Sequence, residues 1–178
     1  MANDEDLWTL KHIAACYRER KQYDNAMAYY QKIEELKPDN VVNIINMGHC
    51  LLEQGKVKEA MKIYFKADLT DESNHRARRP VAWCSFLLGN DERSITYYDR
   101  IIAEDSPTAQ DHLNRAHALL AMKRLPEAVN SYRQALRLMD GNINELRKAM
   151  LSDRQALESR GINMEDMPLL LDVIASDI

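Results

Sequence analysis

Residues 41–74 read VVNIINMGHCLLEQGKVKEAMKIYFKADLTDESN, and the way this stretch recurs along the chain decides the fold. Apolar and small residues stand at Ile44, Met47, Gly48 and Leu51, and again, past Gln54-Gly55, at Ala60, Tyr64 and Ala67. Both runs keep the three- and four-residue spacing of one helix face, so the stretch predicts two helices joined by a short turn. Steps of 34 residues from Tyr64 reach Tyr30, Tyr98 and Tyr132. Ala26, Ala60, Ser94 and Ala128 precede these tyrosines by four residues, and Ala14, Gly48, Ala82 and Ala116 lie twelve residues earlier still. Three series locked in one register over four periods mark an array of repeats.

The physical logic is one of close approach and shared burial. Small residues in both helices let the two backbones come together where they cross, and the tyrosine ring fills the space between one pair and the next, its hydroxyl reaching a polar edge. One pair cannot bury both apolar stripes alone, so neighbours have to stack. Turn chemistry falls where this scheme needs it: Lys37-Pro38-Asp39-Asn40, Asp71-Glu72-Ser73-Asn74, Asp105-Ser106-Pro107 and Asp140-Gly141-Asn142 between pairs, and Gln54-Gly55 and Leu88-Gly89-Asn90 within them.

Period and pattern resemble the tetratricopeptide repeat. With Leu7 as the first position, the units are 7–40, 41–74, 75–108 and 109–142. Small residues at positions 8 and 20, the tyrosine at 24 and Ile33, Ala67, Ile101 and Ala135 at 27 agree in every unit. Departures cluster in the third and fourth units, with Arg78, His112 and Arg115 where bulky apolar residues are usual and Ser85 where a larger one is, while the family's late proline appears only as Pro38. The resemblance implies an all-α, right-handed α-solenoid of four helix pairs over residues 1–142, with capping helices over 143–178. Ile143, Leu146, Met150 and Leu157 trace a helix face ending near Arg160-Gly161, where glycine suits a helix stop. Asn163 with Asp166 signals a further helix whose apolar side is Met164, Met167, Leu170, Leu171 and Ile174. Leu169 and Val173 leave that helix apolar on a second side, which admits deep burial, self-association through the C-terminal helix, or a missing partner.

Composition excludes several classes of function. The 178 residues carry 24 Lys+Arg against 28 Asp+Glu, a net charge of −4, so no global basic field draws in nucleic acid or an anionic membrane. The acidic start MANDEDLW has no apolar core of a signal peptide, no run approaches a membrane span, and the expected location is cytoplasmic. Cys16, Cys50 and Cys84 are themselves 34 residues apart, at a distance in the fold that strains a disulfide, so they read as small buried fillers. No metal-ligand cluster, nucleophile elbow, phosphate loop or dinucleotide fingerprint occurs, so the expectation is a non-enzyme with no cofactor and no metal.

What remains is recognition of another polypeptide. By the resemblance, positions 2, 5, 9, 12 and 13 line a concave groove, which assigns Trp8, Lys11, His49, Arg76, Arg79, Trp83 and His117 as peptide contacts. The mixture of cations with aromatic and aliphatic groups suits a protein or peptide ligand with acidic and apolar groups. A carboxylate clamp of the kind that holds chaperone tails is only partly present: Lys11, Asn46 and Arg76 agree in chemistry, whereas Ala15 and Pro80 do not. The run His75-Arg76-Ala77-Arg78-Arg79-Pro80 sets cations against a helix N-terminus, and Pro80 makes that helix start late or kink. The expected function is therefore a protein-interaction adaptor or scaffold, and the alternative is a regulatory or substrate-holding module of a larger enzyme or secretion assembly.

Overall fold

The computed structural model describes residues 4–70, 75–104 and 106–176, and every regular element among them is helical. The turn residues Asp71 to Asn74 and Asp105 lie outside the described residues. In chain order the helices are α1 (Asp4–Glu19), α2 (Tyr23–Leu36), α3 (Val41–Glu53), α4 (Val57–Thr70), α5 (Arg78–Leu87), α6 (Asp91–Glu104), α7 (Ala109–Ala121), α8 (Leu125–Leu138), α9 (Ile143–Ser152), α10 (Arg154–Ser159) and α11 (Met167–Ala175). Short 3₁₀ turns, His75–Ala77 and Met164–Asp166, precede α5 and α11. The chain packs as two compact units, Met1–Cys84 and Ser85–Ile178, the division falling within α5.

In the first unit α1 packs on α2, α2 on α3 and α3 on α4. In the second, α6 packs on α7 and α7 on α8, with α9 and α11 laid against α8. The repeat register places this core. Ala26, Ala60, Ser94 and Ala128 are fully buried, Tyr30, Tyr64, Tyr98 and Tyr132 are at most 2% exposed, and Ile33, Ala67, Ile101 and Ala135 are fully buried. A periodicity read as a shared apolar face is thus the core of both units.

Turns and caps keep the same register. Lys21, Gly55, Gly89 and Lys123, successive steps of 34, all adopt positive φ at the bend between paired helices. Glycine enters that left-handed region without steric cost. Asn40, Thr108 and Asn142 cap α3, α7 and α9 by accepting the backbone N–H three residues on. The cap register therefore runs one step past the fourth unit, and α9 begins as a further first helix would.

Pro80 acts as the sequence suggests. α5 begins at Arg78, three residues later in the repeat than α3 and α7, so the proline sits in its first turn, where a missing N–H breaks no intrahelical bond. The C-terminal region differs from the reading of one helix to Arg160. It breaks at Asp153, in the bridge region at φ −95° and ψ 6°, while the Ser152 hydroxyl donates to the Ala149 carbonyl at 2.7 Å. Cys50 and Cys84 are buried fillers, but Cys16 is exposed. Cys50 packs with Ala14, Ala26, Tyr30 and Ile33 of the preceding helix pair. Among the described residues no pair precedes α1, so the equivalent cysteine has nothing to cover it.

Gly48 of α3 lies close against the Tyr64 ring of α4. A methyl group there would lie 2.5 Å from Cε1 of the Tyr64 ring, and that ring is held by a hydrogen bond between its hydroxyl and His49 Nδ1 at 2.7 Å. Gly48→Ala gains about 1 kcal/mol of helix propensity, against about 1–3 kcal/mol for overpacking. The expected result is a net loss of about 1 kcal/mol in urea unfolding followed by fluorescence of Trp8 and Trp83, both in the first unit.

Candidate functional site

The residues singled out in the sequence divide between the two units. In the first unit, Trp8 is 61% exposed on α1 and Lys11 stands exposed one turn on. The Trp8 indole lies 3.7 Å, centroid to centroid, from the His12 ring, whose Nδ1 is 2.8 Å from the Trp8 carbonyl oxygen. Two turns on from Lys11, Arg18 Nη1 donates to Asn46 Oδ1 of α3 at 3.1 Å. The amide oxygen of the residue common to carboxylate clamps is thereby already engaged.

His49 is half-buried, and Tyr64 holds it by Nδ1. No partner of Nε2 occurs among the described residues. Burial, and then the Arg18 guanidinium, lower the His49 pKa below the ordinary 6.5, with Glu53 opposing. Between the folded and unfolded values the unfolded chain binds more protons, so stability is full above about pH 6.5 and declines as the pH falls below it. His49→Gln should flatten that acid-side decline in the first unit, as read by the urea midpoint at pH 7.5 and pH 5.5.

Arg76 is exposed on the 3₁₀ turn before α5, and Arg79 and Trp83 are half-buried on one face of α5, one turn apart. The thiols nearby offer no nucleophile, because burial pushes the Cys50 pKa to about 11 and that of Cys84 to about 12.

His117 has a different setting. In the second unit it is fully buried on α7, its Nδ1 2.7 Å from the Tyr132 hydroxyl and its Nε2 3.3 Å from Asp153 Oδ2. Asp153 follows α9, so the C-terminal segment covers the side chain expected in an open groove. The same carboxylate oxygen takes a longer bond from Gln110 Nε2 at 3.4 Å. Seven residues on, Arg160 Nη2 donates to Asp91 Oδ2 at 2.6 Å, and its guanidinium lies 5.8 Å from the Phe86 ring centroid. Phe86 in turn stands 6.2 Å from the His117 ring. Asp91, Asp153 and Arg160 were not expected at a site, since partners 36 and 69 residues apart leave no local pattern.

A separate cavity of about 390 Å³ opens in the second unit between the α7–α8 turn and the segment from Leu157 to Val173. Leu169 and Val173 on its rim are 68% and 50% exposed, whereas Met164, Leu171 and Ile174 are buried. Arg133 holds α11 onto α8 by donating to the carbonyls of Val173 at 2.7 Å and Ile174 at 3.1 Å. Among the described residues no group of three His, Cys, Asp or Glu side chains is placed to hold a metal, and no helix is long and apolar enough to cross a membrane.

Comparison with known proteins bears on this geometry directly. Models of the tetratricopeptide repeat match residues 17–84 and residues 112–138. The chain belongs to the tetratricopeptide repeat family. Among solved structures it is similar to MamA, at TM-score 0.72 and 19% identity, with 97% of this chain and 91% of that one covered. It is also similar to YrrB, described as a TPR protein with an unusual peptide-binding site, at TM-score 0.68 and 16% identity over 98% of this chain and 90% of that one. A third, the thermophilic TPR protein TTC0263 of Thermus thermophilus, gives TM-score 0.66 and 16% identity, with 84% of each chain covered. These likenesses speak for the fold. Among curated proteins it is 25% identical over 121 residues to the human DnaJ homolog subfamily C member 7, which is 67% of this chain and 24% of that protein. Membership of this family and the repeat fold support a scaffold for protein–protein interaction.

Proposed function

We propose that this chain is a non-catalytic adaptor that receives a peptide or helix with acidic and apolar groups, through Trp8, Lys11, His49, Arg76, Arg79 and Trp83. The observation that carries the reading is the exposed indole of Trp8 with the Lys11 ammonium one turn away, on a helix whose other side is core. An exposed tryptophan is the kind of anchor that binding hot spots favour, and the lysine beside it suits an acidic group. His49 Nε2 adds a hydrogen-bonding group, and Arg79 beside Trp83 repeats the pairing of cation and ring on α5. His117 serves this reading only if the C-terminal segment moves away.

A random peptide library selected on the full chain tests it. Enrichment of acidic and apolar residues is expected, with affinity lowered at least about tenfold by Arg76→Ala/Arg79→Ala/Trp83→Ala at unchanged helicity. Selected peptides without that bias, or unaltered affinity in the folded variant, would remove the assignment. A second reading, a substrate-holding module within a larger machine, draws on the curated relative, of which this chain spans 24%.

A further inference from the structure

The resemblance assigns Phe86, Gln110 and His117 to the inner lining of the array, and the structure shows what that lining accepts. A carboxylate, Asp153, meets His117 at 3.3 Å and Gln110 at 3.4 Å. A guanidinium, Arg160, meets Asp91 at 2.6 Å and lies over Phe86. Asp153 and Arg160 flank the six-residue α10, seven residues apart, and their contacts put both on one side of that segment. We propose that the face formed by Phe86, Asp91, Gln110 and His117 is a site for a helical segment bearing a carboxylate and, seven residues later, an arginine, with residues 153–160 as its resident occupant. The exchangeable ligand is a helix of a partner protein with the same two groups.

Three observations mark the occupant as replaceable. α10 is six residues long, and Leu157 is its one buried side chain. Asp153 makes no side-chain cap for α10, its carboxylate being engaged on α7 instead. Asp91 Oδ1 and Arg160 Nε are buried with no hydrogen-bond partner, so the fit at the arginine end is incomplete and a better-matched segment has bonds to gain. An intramolecular occupant competes at the high effective concentration of a tethered group, which lowers the apparent affinity of any ligand in trans.

The proposal deepens the reading of the chain as a peptide scaffold and is tested by a different readout. A fluorescent peptide of residues 143–163 is titrated by anisotropy into the full-length chain and into full-length Asp153→Ala/Arg160→Ala, which keeps the face but frees it. The expected result is at least about tenfold tighter binding to the double variant, lost when the peptide carries the same two substitutions. Equal affinity for both proteins, or for both peptides, would overturn it. Should the double variant not fold, hydrogen exchange on the wild-type chain decides: amides of 154–160 must exchange faster than those of α8, and equal protection sinks the idea. Retained binding of the 143–163 peptide with no enrichment of acidic peptides on the first unit would remove the earlier reading and leave this one standing.

Discussion

Replacing Tyr132 by Ala is expected to lower the stability of the second unit by about 4 kcal/mol, the cost typical of deleting a fully buried aromatic ring. Tyr132 is 0% exposed, and burial together with the Asp153 carboxylate pushes its phenol pKa up, so the hydroxyl stays protonated. Truncation would also remove the partner of His117 Nδ1, leaving a buried ring nitrogen whose own cost is about 1–3 kcal/mol. Tyr132→Phe separates the two contributions, keeping the ring and losing only the hydrogen bond, and should cost about 1–2 kcal/mol. Trp8 and Trp83 both belong to the first unit, so a probe inside the second unit reads this change more directly. The suitable measurement is amide exchange across α7 and α8, where 4 kcal/mol corresponds to roughly a thousandfold acceleration for globally protected amides. An acceleration below about tenfold would mean that the tyrosine is not what holds these helices together.

That the four tyrosines would be core residues was legible before any coordinates, because a 34-residue period with small residues at two fixed offsets has a physical cause. Helices approach closely only where side chains are small, and a ring is needed where they diverge. The hydroxyl partners were less legible. Tyr64 and Tyr132 reach the histidine fifteen residues upstream, His49 and His117. The corresponding residue in the third 34-residue repeat is Trp83, whose indole has no acceptor to offer, and Tyr98 accepts from Asn114 Nδ2 instead. Cys16 shows the converse limit. It shares its register with Cys50, yet the register records what a helix presents and not whether a neighbour exists to cover it.

Of the residues that the resemblance puts in a groove, the structure leaves some exposed and covers one, for a related reason. Trp8 and Lys11 are exposed, since nothing among the described residues lies over them. His117 is covered because a segment 36 residues downstream folds back, and helical periodicity carries no information about such returns. Arg160 was read only as the residue before a helix-stopping glycine, although a long cation placed just before Gly161 is where a chain turning back over its own array would need an anchor. A charged residue at a helix stop, following a cap that continues the repeat register at Asn142, is the pattern that could have raised the question.

That anchor leads to the second large effect. Arg160→Ala is expected to cost the second unit about 2 kcal/mol at neutral pH, below the 3–5 kcal/mol typical of breaking a fully buried pair because both partners keep some solvent. Side-chain exposures of 22% for Arg160 and 12% for Asp91 set that discount. The sign of the pH dependence distinguishes this mechanism from loss of packing. Burial raises the Asp91 pKa above its ordinary value even in the intact protein, and the Arg160 guanidinium is the first of the influences that pull it back. In the folded variant that opposition is gone, so Asp91 takes up a proton at higher pH than in the wild type. Where the folded state binds the extra proton, stability rises as pH falls, so the cost of Arg160→Ala should shrink as the pH falls through the raised pKa of Asp91 toward the ordinary carboxylate value of 3.8. Asp91→Asn in the Arg160→Ala background should abolish that slope, since no buried carboxylate is left to titrate. A cost independent of pH over this range would mean that Arg160 contributes through its contact with Phe86, and that the ion pair carries little of the attachment.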